Sequence, residues 1–196
     1  MRKSNRRLFK AVAIGVSTGG VSALKFLLGA LPSDFSVPIL VATHITPDSD
    51  NGLALLLDSY SAIRVKEADE QETLSSGAVY LAPANYHLLV ERGGTLALSV
   101  DPPVNFARPS VDVLFESAAD VYGSALIGII MTGAGCDGSR GLLQIKNRGG
   151  LTIIQEPADA AMDSMPQSAL QLQKPDYVVP LKDIPNILMK LIQGQP

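Results

Sequence analysis

The sequence has few of the residues that several common classes of protein require. It holds one cysteine, Cys136, and two histidines among 196 residues. One cysteine excludes an internal disulfide and cannot build a cysteine-based metal site alone, so a reducing compartment is the simplest location. The formal net charge of -3 is small, and binding to nucleic acid needs a clear basic excess on one face. The composition therefore gives no reason to expect a nucleic-acid partner.

Long hydrophobic runs are also lacking at the N-terminus. The basic start, residues 1–10, is followed by the apolar run AVAIGV, which Ser17 and Thr18 interrupt. This run is shorter than the ~7 to 15 apolar residues of a signal-peptide core and the ~18 that span a membrane. We therefore expect a cytoplasmic protein with no direct membrane insertion. Its length predicts one domain, residues 11–196, after a solvated basic tail.

Short apolar runs bounded by turn residues recur along the chain and predict buried strands. They are AVAIGV, VPILVAT, AVYLA, ALIGIIM, LTIIQ and YVVPL. Segments with helical spacing separate most of them, and these are VSALKFLLGAL, LALLLDSY, RPSVDVLFESAADVYG, RGLLQIKNR and IPNILMKLIQ. The alternation of strands and helices predicts an α/β protein with a mainly parallel sheet and helices on both faces. In HLLVERGGTLALSV, two extended runs flank Gly93-Gly94 and predict an added antiparallel β-hairpin.

Polar residues that directly follow the apolar strands are the candidates for function, because ligands of open parallel sheets bind at the carboxyl ends of the strands. Ser17, His44 and Asp137 stand in such places. Ser17 lies in GVSTG, a GxSxG pattern, which is typical of a sharp turn that exposes a serine hydroxyl. The pattern alone is weak, because any turn from a strand into a helix favours glycine and serine.

A serine nucleophile also needs a base and a carboxylate. His44 ends a buried strand and is the candidate base, whereas His87 begins one arm of the hairpin and is expected to have a packed or supporting role. Asp137 is the candidate carboxylate, in a loop of small residues. It is also a candidate cap of the helix that follows it, and the two roles are compatible because a capping aspartate lies at the same sheet edge. Cys136 is a less favourable nucleophile, because a neighbouring carboxylate opposes formation of the thiolate.

The loop around Asp137 also supports a rival prediction. Gly133-Ala-Gly-Cys-Asp-Gly138 is a literal GxGxxG between a strand and a helix. Glu156 ends the next strand about 20 residues on, as the ribose-binding acid does in proteins that bind NAD or NADP. Against this, Asp137 would place a carboxylate close to the pyrophosphate. A dinucleotide site also leaves the arrangement of Ser17 and His44 unexplained.

With these residues assembled, the sequence resembles the catalytic domain of chemotaxis-receptor protein-glutamate methylesterases, the CheB type. The resemblance covers about residues 11–192. It rests on segments in family order, namely IGVSTGG, THITPDSDNGLALLLDS, VYLAPANYHLLVE, RPSVDVLFESAA, MTGAGCDGSRGLL and QEPADAAMDSMPQSAL. So many ordered segments are far more specific than any one motif.

The resemblance implies a doubly wound, three-layer α/β/α fold and a catalytic triad of Ser17, His44 and Asp137, with no metal or cofactor. It implies that residues 11–196 hydrolyse glutamate γ-methyl esters on the cytoplasmic helices of methyl-accepting chemotaxis receptors, with deamidation of receptor glutamines as a further activity. We expect backbone N–H groups near Thr18 and Ala134 to form the oxyanion hole. A catalytically inactive module that only binds the receptor is a third hypothesis, besides the esterase and the dinucleotide-binding protein.

The sequence departs from the family pattern in two ways. Ala134 stands where family members often have methionine; a backbone N–H donor survives that change, whereas the side-chain packing does not. The family enzyme usually carries an N-terminal phosphorylatable receiver domain that covers the active site, and only about ten residues precede the first predicted strand here. The chain is therefore expected to be an excised domain or a stand-alone member, and a separate regulator could control it.

Overall fold

The computed structural model describes residues 8–45 and 51–193, and most of the predicted basic tail lies outside the described residues. The strands in this part are β1 (Ala11–Val16), β2 (Ile39–Thr43), β3 (Arg64–Glu67), β4 (Ala78–Leu81), β5 (His87–Val90), β6 (Leu96–Ser99), β7 (Leu126–Ile130), β8 (Leu151–Gln155) and β9 (Tyr177–Val179). The α-helices are α1 (Gly20–Gly29), α2 (Gly52–Asp58), α3 (Val111–Tyr122), α4 (Ser139–Asn147), α5 (Ser164–Leu172) and α6 (Ile184–Gln193).

Seven strands form one parallel sheet in the order β3-β4-β2-β1-β7-β8-β9. The other two strands, β5 and β6, form the predicted antiparallel hairpin. β1 lies in the middle of the sheet, and the chain leaves it toward β2 on one side and reaches β7 only later on the other. Such a reversal of strand order opens a crevice at the carboxyl ends of the strands, here those of β1 and β7.

The two faces of the sheet carry different helices. Because successive side chains of a strand point to opposite faces, Val12 and Ile14 of β1 pack in one cluster with α1, α2 and α6. Ala11 and Ala13 of the same strand pack in a second cluster with α3, α4, α5 and the hairpin. The sheet is thus the middle layer of three, as the sequence predicts.

Two elements were not among the predicted ones. β3, with the sequence RVKE, is an edge strand in which only Val65 is buried, so it carries no apolar run. α5, with the sequence SMPQSALQL, has Pro166 in its first turn, where proline is tolerated because the N–H groups there have no partner within the helix. Both elements lack the apolar pattern by which the others are recognised.

Across residues 8–45 and 51–193, the helices all fall short of the length and hydrophobicity that a membrane span requires.

Candidate active site

Two neighbouring strands bring Ser17 and His44 to the same edge of the sheet. Val16 of β1 is paired with Thr43 of β2 in parallel register, so Ser17 and His44 are the next residues on strands that lie about 4.8 Å apart. On the other side of β1, the Ser17 N–H donates a hydrogen bond to the Thr132 carbonyl, which follows β7, at 3.0 Å. The ends of β1, β2 and β7 therefore meet at one place.

His44 and Asp137 form a hydrogen bond across this edge. Nε2 of His44 lies 2.8 Å from Oδ2 of Asp137, whose side chain is 2% exposed. When Nε2 donates its proton to the carboxylate, a neutral His44 keeps its lone pair on Nδ1. Nδ1 is then the nitrogen that can accept a proton from a hydroxyl group.

The Asp137 carboxylate is surrounded by further hydrogen-bond donors. They are the Val111 N–H at 2.7 Å, the Ser110 hydroxyl at 2.8 Å, the Asn105 side-chain amide at 2.9 Å and the Asp112 N–H at 3.2 Å. Val111 and Asp112 begin α3, so the positive end of this helix points at the carboxylate. Burial alone would raise the pKa of Asp137, but the hydrogen bonds, first that with His44, hold the pKa below its ordinary value. Asp137 is therefore ionised and can stabilise a protonated His44.

A second buried carboxylate, Asp112, lies beside the first. Its Oδ2 accepts a hydrogen bond from the Asn105 amide at 2.8 Å, and the same amide nitrogen donates to Asp137, so Asn105 bridges the two acids. Burial raises the pKa of Asp112, and the negative charge of Asp137 raises it further. Sequence reasoning missed both Asn105 and Asp112. No sequence signal marks Asp112, because acidic residues are common in the first turn of a helix and α3 also carries Glu116 and Asp120.

The helices α3 and α4 are each capped at the N-terminus by a carboxylate from the other helix or from the loop before it. We call this arrangement the crossed caps of Asp112 and Asp137. Asp137 precedes α4 but accepts N–H groups of α3, whereas Asp112 of α3 accepts the Gly141 N–H of α4 at 2.7 Å. The prediction that Asp137 caps its own helix is wrong. Gly138 holds that position, in a left-handed conformation with φ of 88°.

Ser17 is half-buried against the loop that follows β7. A Cβ atom built on Gly133 would lie 2.9 Å from Cβ of Ser17, so Ser17 packs directly on this glycine and beside Ala134. Within the described part of the chain, neither the Thr18 N–H nor the Ala134 N–H donates to a protein acceptor. These two residues are exposed next to Ser17, where the predicted oxyanion donors belong.

His87 is 1% exposed and lies behind the site. Its Nδ1 accepts the Ser110 N–H at 3.2 Å, and its Nε2 lies 3.2 Å from the Pro102 carbonyl. The hydroxyl of the same Ser110 donates to Asp137. This arrangement agrees with the packed or supporting role predicted for His87.

A cleft of about 430 Å³ opens beside His44 and Asp137. One wall is the loop of residues 103–109, and another is the segment 134–136, which includes the exposed thiol of Cys136. A substrate in this cleft would lie against the histidine and next to the loop on which Ser17 packs.

The glycine pattern of the rival prediction serves packing in this structure. A Cβ on Gly138 would lie 2.5 Å from Cγ1 of Val111, so this glycine lets α3 and α4 begin in contact. A dinucleotide would place its pyrophosphate at the N-terminus of α4, where the Gly141 N–H already donates to Asp112. Two buried carboxylates at this point, Asp112 and Asp137, disfavour a phosphate.

Comparisons with known proteins identify the family and the fold. The family model described as CheB methylesterase matches residues 12–188. The chain belongs to the CheB methylesterase family. The fold is similar to the crystal structure of the Thermotoga maritima CheB methylesterase catalytic domain, with a TM-score of 0.89, 37% identity, and coverage of 93% of this chain and 98% of that one.

Curated members of the CheB family show the same relationship at the level of sequence. A Leptospira interrogans protein, provisionally named a protein-glutamate methylesterase/protein-glutamine glutaminase, is 45% identical over 186 residues, which cover 95% of this chain and 96% of that protein. A Clostridium acetobutylicum protein with the same name is 38% identical over 185 residues, and the match covers 54% of its length. The predicted CheB-type family, three-layer fold and methylesterase class are confirmed. The roles of Ser17, His44 and Asp137 stay predictions.

Proposed function

We propose that this CheB-family chain removes methyl groups from glutamate γ-methyl esters of chemotaxis receptors in the cytoplasm, and that it deamidates receptor glutamines by the same steps. Residues 11–196 form the catalytic domain in this proposal. The observation that carries it is the 2.8 Å hydrogen bond between His44 and the buried Asp137, at the sheet edge where Ser17 directly follows β1. The names of the relatives supply the substrate class.

In the first step, Nδ1 of His44 takes the proton of the Ser17 hydroxyl while Oγ attacks the ester carbonyl carbon. The ionised Asp137, held on Nε2, stabilises the imidazolium that forms. The negative oxygen of the tetrahedral intermediate accepts hydrogen bonds from the N–H groups of Thr18 and Ala134. The loss of one such donor typically costs ~3 to 4 kcal/mol of transition-state stabilisation.

In the second step, the protonated His44 gives its proton to the leaving oxygen, and methanol departs from an acyl-enzyme on Ser17. Water then attacks the acyl carbon, with His44 as base, and the free glutamate and the Ser17 hydroxyl are regenerated. With glutamine as substrate, the same sequence releases ammonia in place of methanol.

The test compares Ser17→Ala with Cys136→Ala, which removes the other nucleophile of the cleft. Methanol release from a methylated receptor fragment should fall by about 10⁴-fold or more in Ser17→Ala, because the residues of a triad act as a unit. Cys136→Ala should turn over like the wild type. A fluorophosphonate probe should label the wild type and Cys136→Ala but not Ser17→Ala.

Three outcomes would contradict the proposal. Equal methanol release by Ser17→Ala and the wild type would place the nucleophile elsewhere. Receptor binding without methanol release and without labelling of Ser17 would indicate a binding module that lacks chemistry. Binding of NAD or NADP that Gly135→Val weakens would favour the dinucleotide site.

A further inference from the structure

Residues 104–107 form a tight turn at the mouth of the cleft. The Val104 N–H donates to the Ala107 carbonyl at 3.1 Å, and the Ala107 N–H donates to the Val104 carbonyl at 2.9 Å. The two residues between them, Asn105 and Phe106, have positive φ values of 50° and 63°. Two-residue turns with positive φ at both central positions favour asparagine followed by glycine. Asn105 fits this rule, whereas Phe106 is a bulky residue in a strained conformation.

The fold does not account for a phenylalanine at this place. Phe106 is 104% exposed, whereas Phe35 and Phe115 of the core are 4% and 0% exposed. Its ring therefore gains no burial that would offset the backbone strain and the contact of an aromatic face with water. Strained residues that persist without a packing role are concentrated at functional sites, and Phe106 lines the cleft that holds His44 and Asp137.

The turn is held firmly on both sides of the ring. On one side, the Asn105 amide donates to the carboxylates of Asp112 and Asp137. On the other side, the Arg108 guanidinium donates to Oδ1 of Asn85 and to the backbone carbonyls of Val100 and Asp101. A ring on an anchored turn loses little conformational freedom when a partner covers it, which favours a binding role.

We propose that Phe106 is a specificity-determining residue that packs against the receptor segment next to the modified glutamate. The inference rests on the proposed function, because the partner is the substrate of that site. Ile45, Pro103 and Ala107 give apolar surface to the same cleft, whose lining also includes the cationic Arg108. The apolar part of the lining suits the neutral methyl ester and the aliphatic side chains beside it. Phe106 thus contributes to the capture of methylated receptor.

The test uses Phe106→Gly, which supplies the residue that this turn favours, and measures methanol release from a methylated receptor fragment. We expect KM to rise about tenfold while kcat stays close to that of the wild type, since an exposed aromatic anchor contributes binding energy. The midpoint of thermal unfolding should be equal to or above that of the wild type, because glycine relieves the strain. Phe106→Tyr keeps the ring and should keep KM within about twofold of the wild type.

Phe26→Ala is the matched control. Phe26 is 47% exposed near the C-terminal end of α1, and this helix runs away from the carboxyl edge of the sheet. The control should keep the KM of the wild type. As a second measurement, the affinity for the methylated fragment should be weaker in the Ser17→Ala/Phe106→Gly double variant than in Ser17→Ala. An unchanged KM in Phe106→Gly, or an equal rise in Phe26→Ala, would overturn the inference alone. A wild type that releases no methanol would overturn the proposed function, and the inference with it.

Discussion

At the scale of single residues, Ser17 depends on the small size of its neighbour Gly133. A Cβ on Gly133 would lie 2.1 Å from Sδ of Met165 and 2.9 Å from Cβ of Ser17, closer than real contacts allow. Even one methyl group therefore clashes both with the candidate nucleophile and with the core methionine behind it. Interiors packed at this density respond to a single added carbon.

We expect Gly133→Ala to lower methanol release by about 10²-fold or more, because a displacement of about 1 Å at the reacting atom has that effect. The free energy of unfolding should also fall, by about 1 to 3 kcal/mol. Gly128→Ala is the control, since Gly128 lies inside β7, away from the cleft, and its Cβ would meet the ends of Leu142 and Ile145 of α4. It should lose comparable stability in chemical denaturation and keep its turnover. Equal turnover in the two variants would show that Ser17 tolerates the shift.

The sequence predicts the three candidate catalytic side chains but not the groups that hold them. Ser17, His44 and Asp137 each follow an apolar strand, so the common direction of parallel strands is enough to bring them together. Asn105 belongs to a loop whose path no local pattern indicates. Asp112 resembles an ordinary first-turn acid until the packing of α3 on α4 is known. The electrostatics of the site were therefore beyond sequence reasoning.

At the scale of elements, the crossed caps of Asp112 and Asp137 give one carboxylate both a structural role and its predicted catalytic role. Asp137 accepts hydrogen bonds at the start of α3 and also holds His44. An amide at this position would present an NH₂ group to an array of donors. A buried donor left without an acceptor costs about 1 to 3 kcal/mol, and more beside charged groups.

Asp137→Asn should therefore lose both activity and stability. Turnover should fall by about 10⁴-fold, since the asparagine no longer favours the proton on Nε2 of His44. The free energy of unfolding should fall by about 1 to 3 kcal/mol in denaturant titrations. Asp163→Asn makes the same change at the start of α5, where the carboxylate accepts from the Gln167 side chain, and should have little effect on either quantity. Full stability in Asp137→Asn would mean that α3 does not rely on the carboxylate.

The elements themselves follow closely from the sequence where they are buried on both faces. β1, β2, β7 and β8 were predicted because a central parallel strand has an apolar residue at nearly every position. β3 escaped prediction because it lies at the edge of the sheet, where only Val65 needs to be apolar. α5 escaped because Pro166 suggests a loop unless its place in the first turn is known.

At the scale of the whole molecule, a further carboxylate stabilises the end of the sheet that lies away from the cleft. Asp176 accepts hydrogen bonds from the Thr152 N–H at 2.8 Å and from Lys146 at 2.9 Å, which hold the loop before β9 against β8. Burial alone would raise the pKa of Asp176, but these hydrogen bonds hold it below its ordinary value of 3.8. The Asp176 carboxylate therefore binds a proton more tightly in the unfolded chain than in the folded chain.

It follows that Asp176 stabilises the fold fully above pH 3.8 and loses this contribution as the pH falls through its lower, folded pKa. Asp176→Asn should unfold more easily than the wild type at neutral pH, and the two free energies of unfolding should converge in strong acid. Urea titrations from pH 7 to pH 2 would measure this. Methanol release at pH 7 should not change, because β8 separates β9 from β7. A stability gap that is constant across this range would show that the charge of Asp176 is unimportant.

The crossed caps also have a consequence for how the protein folds. The N–H groups at the start of α3 donate to Asp137, which precedes α4, and the Gly141 N–H of α4 donates to Asp112 of α3. Each helix start therefore depends on a carboxylate from the other segment. Asp137 thus has its full set of hydrogen-bond donors only when the two helices are packed together. If the proposed triad is correct, we expect activity to appear during refolding together with the packing of α3 on α4 and not before it.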